Sequence, residues 1–267
     1  MTAVDRTALP GGVEVIIDAD HGLAEVLLNR PEIRNAQTMA TWASLARAAE
    51  IIGEESGVSV VVLRGNGDDF SAGLDLRMLR GTAPAGEGDL RELLIKGDAE
   101  VAQAIAEFQR GFSCWRELPV IVVAVVTGHA IGAGFQLALA ADLRILTDDA
   151  VLVMAEGRLG LVPDLGGTRN LAQIVGYSRA LEICATAVPV DAKRAEAWGL
   201  ANTVVARDDL EAGVARYLDT LRAFDPRVSR SLKALMVSAV SSTPIEQLEA
   251  ERKAQLPLLR RLSAPSG

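Results

Sequence analysis

Two short stretches of this chain join the end of an apolar run to small residues and then to a helix-like pattern. They are DDFSAGLDL, from Asp68 to Leu76, and GHAIGAG, from Gly128 to Gly134. Small residues at such a junction let backbone N–H groups face outward, and a helix N-terminus adds a partial positive charge. Two junctions of this kind brought together would form an oxyanion hole, a pair of donors for charge developing on a carbonyl oxygen. The same glycines would also serve two ordinary tight turns, and the local pattern leaves both readings open.

Other chemistries are less well served. GHAIGAG spaces its glycines G-x-x-x-G-x-G, so the third glycine of a dinucleotide fingerprint is missing. The chain has no P-loop lysine and no G-x-S-x-G elbow, and with His21 and His129 as its histidines a serine triad is a poor fit. Cys114 and Cys184 lie 70 positions apart, outside any CxxC spacing, and with two histidines they make no zinc ligand set. Both cysteines read as buried free thiols in a reducing compartment.

The elements that must position these junctions follow from composition and pattern. At 267 residues, 49% hydrophobic and 23% charged, the chain matches a globular protein with one large core and an appendage. A formal net charge of -8 argues against a general nucleic-acid binder. Charged Asp5 and Arg6 precede any apolar run, unlike a signal peptide, so a cytoplasmic location is expected.

Leu118 to Ala141 runs for 24 residues without a formal charge, long enough to cross a bilayer. However, it contains Pro119, Gly128, Gly132, Gly134 and Gln136, and its β-branched VIVVAVV reads as a doubly covered strand. The segment therefore parses as strand, glycine turn and helix, not as a membrane span.

VEVII (13–17) and AEVLL (24–28) predict a hairpin, and VSVVVLRG (58–65), LRILT (143–147), VLVMAE (151–156) and TVVA (203–206) predict further strands. Apolar stripes predict one helix from about Met39 to Gly53 and another running from Leu90 to Trp115, with helices from Asp209 onward broken at Pro226 and Pro244. GTAPAGEGD, from Gly81 to Asp89, reads as a mobile surface loop. Strands alternating with helices imply an α/β fold with parallel pairing.

Taken in order, NRPEIRNA, DFSAGLDL, PVIVVAVVTGHAIGAGFQLALAADLRI and AEGRLGLVPDLGGTRNL resemble the crotonase superfamily, the enoyl-CoA hydratase/isomerase family, over roughly residues 13 to 206. The resemblance implies an α/β spiral of ββα turns over residues 1–206 and a helical C-terminal region over 207–267, in a homotrimer or dimer of trimers. Leu248, Leu256, Leu258 and Leu259 suit such a contact.

It further implies an acyl-CoA substrate, as in fatty-acid β-oxidation, whose thioester oxygen takes the backbone N–H groups of Leu74 and Ala133. Ile33, Arg34, Ala36 and Ala72, with Leu74, would then line the CoA path. No metal or separate cofactor is implied, CoA being part of the substrate.

Proton removal beside a thioester needs a base, and a partly desolvated carboxylate suits that task. Family hydratases typically use two glutamates. The first position holds Gln136, an amide without usable basicity, and the second holds Glu156. Asp164 stands where dienoyl-CoA isomerases of the family carry a catalytic aspartate. The resemblance thus implies an enolate-forming enzyme, with double-bond isomerisation by Glu156 and Asp164 favoured. Hydration by Glu156 with Gln136 holding the water, and acyl-CoA binding without turnover, are the alternatives. Glu156 at a solvated strand end, Asp164 as a turn or cap residue, and Gln136 as a satisfied core amide are the structural readings of the same residues.

Overall fold

The computed structural model describes residues 4–262. Strands β1 (Asp5–Leu9), β2 (Val13–Asp18) and β3 (Leu23–Leu28) form an antiparallel meander. Burial alternates strictly along β2 and β3, the signature of strands with one covered face. β1 adds an edge strand beyond the predicted hairpin, because its sequence DRTAL is too polar to announce a strand.

Helix α1 (Met39–Glu54) leads into β4 (Val60–Gly65), which pairs parallel with β3. The short helices α2 (Arg77–Arg80) and α3 (Leu90–Leu94) precede the long α4 (Asp98–Glu117). The single helix expected from Leu90 to Trp115 is therefore two, since the chain leaves the helix at Ile95 and restarts beyond Gly97.

β5 (Ile121–Val126) lies inside the sheet, between β4 and β7, and is buried almost throughout. The apolar segment that could have spanned a membrane is completed by the short β6 (His129–Ile131) and the eight-residue α5 (Ala133–Ala140). Every residue of α5 is buried, as expected of a helix apolar on all sides. Among the described residues no helix is long and apolar enough to cross a membrane.

β7 (Leu143–Thr147) and β8 (Val151–Val153) follow, then α6 (Gly167–Val175), α7 (Tyr177–Thr186), β9 (Val190–Asp191), α8 (Ala192–Ala197) and β10 (Thr203–Val205). The main sheet has seven strands in the order β1-β2-β3-β4-β5-β7-β10, and β6-β8-β9 form a second, three-stranded sheet. This is the mixed α/β architecture expected from the sequence.

Beyond β10 the chain is helical: α9 (Leu210–Arg222), α10 (Pro226–Ala239) and α11 (Pro244–Leu262). α9 packs Val214 and Leu218 against Val60, Val62, Val123 and Val125, closing the sheet face opposite α1 and α4. α10 is held by Lys233, whose Nζ lies 2.8 Å from Asp142 Oδ2 and donates to the carbonyls of Trp115 and Val120, both at 2.8 Å.

Candidate active site

The two glycine junctions meet. Ser71 N donates to His129 O and Ile131 N donates to Ser71 O, each at 2.9 Å, which lays the DFSAGLDL turn along β6. On the other side, Gln37 N donates to Gly73 O at 2.7 Å and Asp75 N donates to Gln37 O at 2.8 Å. These bonds use the polar groups flanking Leu74, so in extended backbone the N–H of Leu74 itself points away from Gln37. Among the described residues no protein acceptor takes the N–H of Leu74 or of Ala133, the first residue of α5.

Glycine is required where the junctions touch. Gly73 has φ +81°, and a Cβ there would stand 2.2 Å from Ile131 O and 3.4 Å from Ala133 N. Gly132 has φ +51°, and its absent side chain leaves room for the Glu156 carboxylate, whose Oε1 would lie 3.4 Å from a Cβ. A positive φ favours glycine at both positions, and at Gly73 the close approach of Ile131 excludes a side chain as well. Two donors and a carboxylate are thereby brought together.

Glu156 opens a 3-10 turn, Glu156–Leu159, directly after β8 and is half-buried. Burial pushes its carboxyl above the ordinary glutamate value of 4.5, the charge of Asp164 pushes in the same direction, and the Gln136 hydrogen bond pulls back. Glu156 Oε2 is buried without a hydrogen-bond partner. Its Oε1 accepts from Gln136 Nε2 at 2.6 Å.

Gln136 is 1% exposed, and its own Oε1 accepts the N–H groups of Leu165 at 2.9 Å and Gly167 at 3.2 Å. Both ends of this amide are thus engaged, as a buried polar group in a wholly apolar helix requires. It ties Glu156 to the segment carrying Asp164. Burial also raises the Asp164 carboxyl, and Gln109 Nε2 of α4 donates to the Asp164 carbonyl at 2.7 Å.

A cavity of about 580 Å³ lies over these groups. Ala36, Ala72, Leu74, Ala133, Gln136, Glu156 and Asp164 all line it. Ile33 and Arg34 lie outside that lining. Arg34 is half-exposed and forms a two-pronged ion pair with Asp69, Nε to Oδ2 at 2.6 Å and Nη2 to Oδ1 at 3.2 Å. His129 also bonds Asp69 Oδ1, through N at 2.9 Å and Nδ1 at 2.7 Å. Burial alone would raise Asp69, but the hydrogen bonds from Arg34 and His129 outweigh it and hold the carboxyl at about 2.

The sequence reading missed this Asp69 cluster, whose members are far apart in the chain. It also missed how the loop Gly81–Asp89, expected to be mobile, is tied down: Glu87 accepts from Thr38 Oγ1 and pairs with Arg30 at 3.4 Å. The acid in that loop was the available signal. Both cysteines are free thiols and only partly buried, a smaller burial than expected.

The enoyl-CoA hydratase/isomerase family model matches residues 18–263. The chain belongs to that family, within the crotonase superfamily. Mycobacterium tuberculosis EchA17, named a probable enoyl-CoA hydratase, is 33% identical over 256 residues, covering 95% of this chain and 92% of its own. Bacillus subtilis YngF, named a "putative enoyl-CoA hydratase/isomerase", is 31% identical over 87% of this chain and 84% of its own. The solved structure of a "putative enoyl-CoA hydratase" from Thermobifida fusca YX, in complex with acetoacetyl-CoA, superposes with a TM-score of 0.88 at 41% identity, over 94% of this chain and 96% of that one. The same protein in complex with CoA gives 0.86 at 41% identity, over 95% of each chain.

Proposed function

We propose that this protein binds an acyl-CoA thioester and moves a proton on its acyl group, with double-bond isomerisation of an enoyl- or dienoyl-CoA as the favoured reaction. CoA is part of the substrate, and the proposed step uses no separate cofactor. Binding of CoA and acetoacetyl-CoA by the Thermobifida fusca relative supports the substrate class. The observation that carries the reaction preference is the Gln136–Glu156 hydrogen bond at 2.6 Å, which leaves a single, desolvated glutamate where family hydratases place two.

In the proposed step the thioester oxygen accepts from the N–H groups of Leu74 and Ala133. Glu156 takes a proton from the carbon next to the thioester, and the electrons of that C–H bond move onto the carbonyl oxygen as an enolate. The two donors stabilise this charge because they are fixed before it develops. Return of a proton at the far end of the conjugated system, from Glu156 itself or from protonated Asp164, restores the carbonyl and leaves the double bond shifted.

Hydration is the second reading, favoured by the names of EchA17 and the Thermobifida relative. In it Glu156 is the one carboxylate that activates the water, and Gln136 holds that water with its second Nε2 N–H while bracing Glu156. Incubation with 2-enoyl-, 3-enoyl- and dienoyl-CoA separates the readings: isomerisation predicts faster turnover of the 3-enoyl or dienoyl substrates. Robust hydration that survives Asp164→Ala but not Glu156→Ala would instead favour the second. Tight CoA-thioester binding with no turnover, unchanged in Glu156→Ala, would leave only a binding protein.

Assembly as a trimer or dimer of trimers belongs to the same proposal. Exposed Leu232, Met236, Ile245, Leu248, Leu256 and Leu259 on α10 and α11 support a contact between copies. Light scattering after gel filtration tests it.

A further inference from the structure

The cavity over Glu156 holds a charge that the proposed proton transfer does not use. The ionisable side chains on its wall are Asp75, Glu156, Arg158 and Asp164. Asp75 is paired with Arg77, Oδ2 to Nη2 at 2.6 Å. Glu156 and Asp164 are the proton carriers of the proposed reaction. Arg158 remains, and it is the cation of the set.

Arg158 follows Glu156 in the same 3-10 turn and is exposed. A guanidinium offers several N–H donors, and one of them is used here: Nη2 donates to Ala187 O, at the end of α7, at 2.8 Å. That bond tethers the side chain but leaves its charge uncompensated, since a backbone carbonyl is neutral. Among the described residues no carboxylate forms an ion pair with it. The raised carboxyl of Glu156 agrees, because a guanidinium held against it would pull it down.

Strand order decides which end of a bound thioester meets Arg158. The bridges Gln37 to Leu74 and Ser71 to Ala130, then the pairing of β6 with β8, set the segments side by side in the order 35–37, 71–75, β6 and β8. The N–H groups of Leu74 and Ala133 come from the inner segments. Ala36, on the proposed CoA path, belongs to one outer segment, and the turn bearing Glu156 and Arg158 follows the other. Arg158 is therefore on the acyl side of the donors. Leu93 of α3 and Ile105 and Phe108 of α4 supply an apolar wall to the same cavity.

We infer that Arg158 is a specificity residue that receives a carboxylate at the far end of the acyl group, so that this site takes the CoA thioester of a dicarboxylic acid. The inference rests on the proposed seating of the thioester oxygen at Leu74 and Ala133. The methylenes lie on the apolar wall, and the terminal carboxylate meets Arg158 at the mouth, where Leu159, Leu161 and Val162 are exposed. There it keeps part of its hydration and gains a charge-assisted guanidinium bond, whereas deeper in the cavity it would lose water without return. Glu156 and Asp164 repel an incoming anion, so the cation decides whether such a ligand binds.

Calorimetry tests this with succinyl-, glutaryl- and adipyl-CoA against butyryl-CoA, on the wild type, Arg158→Met and Arg158→Lys. Arg158→Met is expected to weaken the best-fitting dicarboxylic thioester relative to butyryl-CoA by about fivefold or more in Kd, and Arg158→Lys by less, because the charge stays while the fork is lost. On the wild type alone, adipyl-CoA is expected to bind more tightly than its neutral terminal amide. A Kd ratio unchanged in Arg158→Met at every length, or an amide that binds as well as the acid, overturns the inference and leaves the proposed reaction standing. Arg158 would then be only a tether for the end of α7, as it would if Arg158→Met lowered the melting temperature and weakened every thioester alike. If the wild type binds no thioester, butyryl-CoA included, the proposed function itself fails and the inference falls with it.

Discussion

Gln136 Nε2 donates to Glu156 Oε1 at 2.6 Å while Gln136 Oε1 receives the N–H groups of Leu165 and Gly167. Two backbone donors at the carbonyl end fix which way the amide faces. The glutamine that departs from the hydratase pattern is therefore a brace between the one glutamate and the Asp164 segment, with the second N–H of Nε2 still free to donate.

Replacing that brace by acid should reveal the difference. Gln136→Glu keeps an acceptor for Leu165 and Gly167 but sets a second carboxylate against Glu156, so the pair must share a proton. The acid limb of kcat/KM is expected to move up by about one pH unit or more, with hydration gaining on isomerisation. Gln136→Met leaves two buried N–H groups unpaired and should cost about 1–3 kcal/mol in denaturant unfolding.

Glu156→Gln should lower kcat by at least about 10²-fold while CoA-thioester affinity is retained, measured by steady-state kinetics and calorimetry. The wild-type rate should fall with decreasing pH through a value above 4.5, since the base must be ionised and burial raises it. The stability sign is opposite: a raised carboxyl stabilises the fold at low pH and loses that contribution as pH rises through its folded value. Glu156→Gln should therefore unfold at higher temperature than the wild type near neutrality.

Gly73→Ala tests the donor pair without touching a carboxylate. The new Cβ would stand 2.2 Å from Ile131 O on a backbone of φ +81°, so the Leu74 and Ala133 N–H groups must separate. A fall in kcat of about 10²- to 10³-fold is expected, with a melting temperature showing that the fold persists.

The Asp69 cluster predicts a pH-dependent contribution. Asp69→Asn loses charge-assisted bonds to Arg34 and His129 and should cost about 1–3 kcal/mol at neutral pH. A lowered carboxyl stabilises above its unfolded value of 3.8 and loses that effect as pH falls toward about 2. The gap between variant and wild type in urea titrations should close over that window.

Lys233 docks α10 on the core, so Lys233→Met should cost about 3–5 kcal/mol by leaving Asp142 buried without its partner. Adding Asp142→Leu should recover part of that loss, a coupling that a double-mutant cycle measures.

Much of this fold was legible along the chain because its signals are local. Continuous β-branched runs announced β4 and β5, alternation announced β2 and β3, and prolines marked the starts of α10 and α11. The polar edge strand β1, the two-residue β9 and the break between α3 and α4 were not legible, since pairing and packing decide them against weak local preference.

By itself the sequence determined the family, the two glycine junctions and the presence of Glu156 without a second glutamate at position 136. Residue types and short-range spacing are enough for those. Only the tertiary structure decided that Gln136 braces Glu156, that Arg34 turns to Asp69, and that α3 and α4 wall an apolar cavity. Each of these joins residues distant in the chain, and a hydrogen bond or a cavity exists only once folding has set the distances.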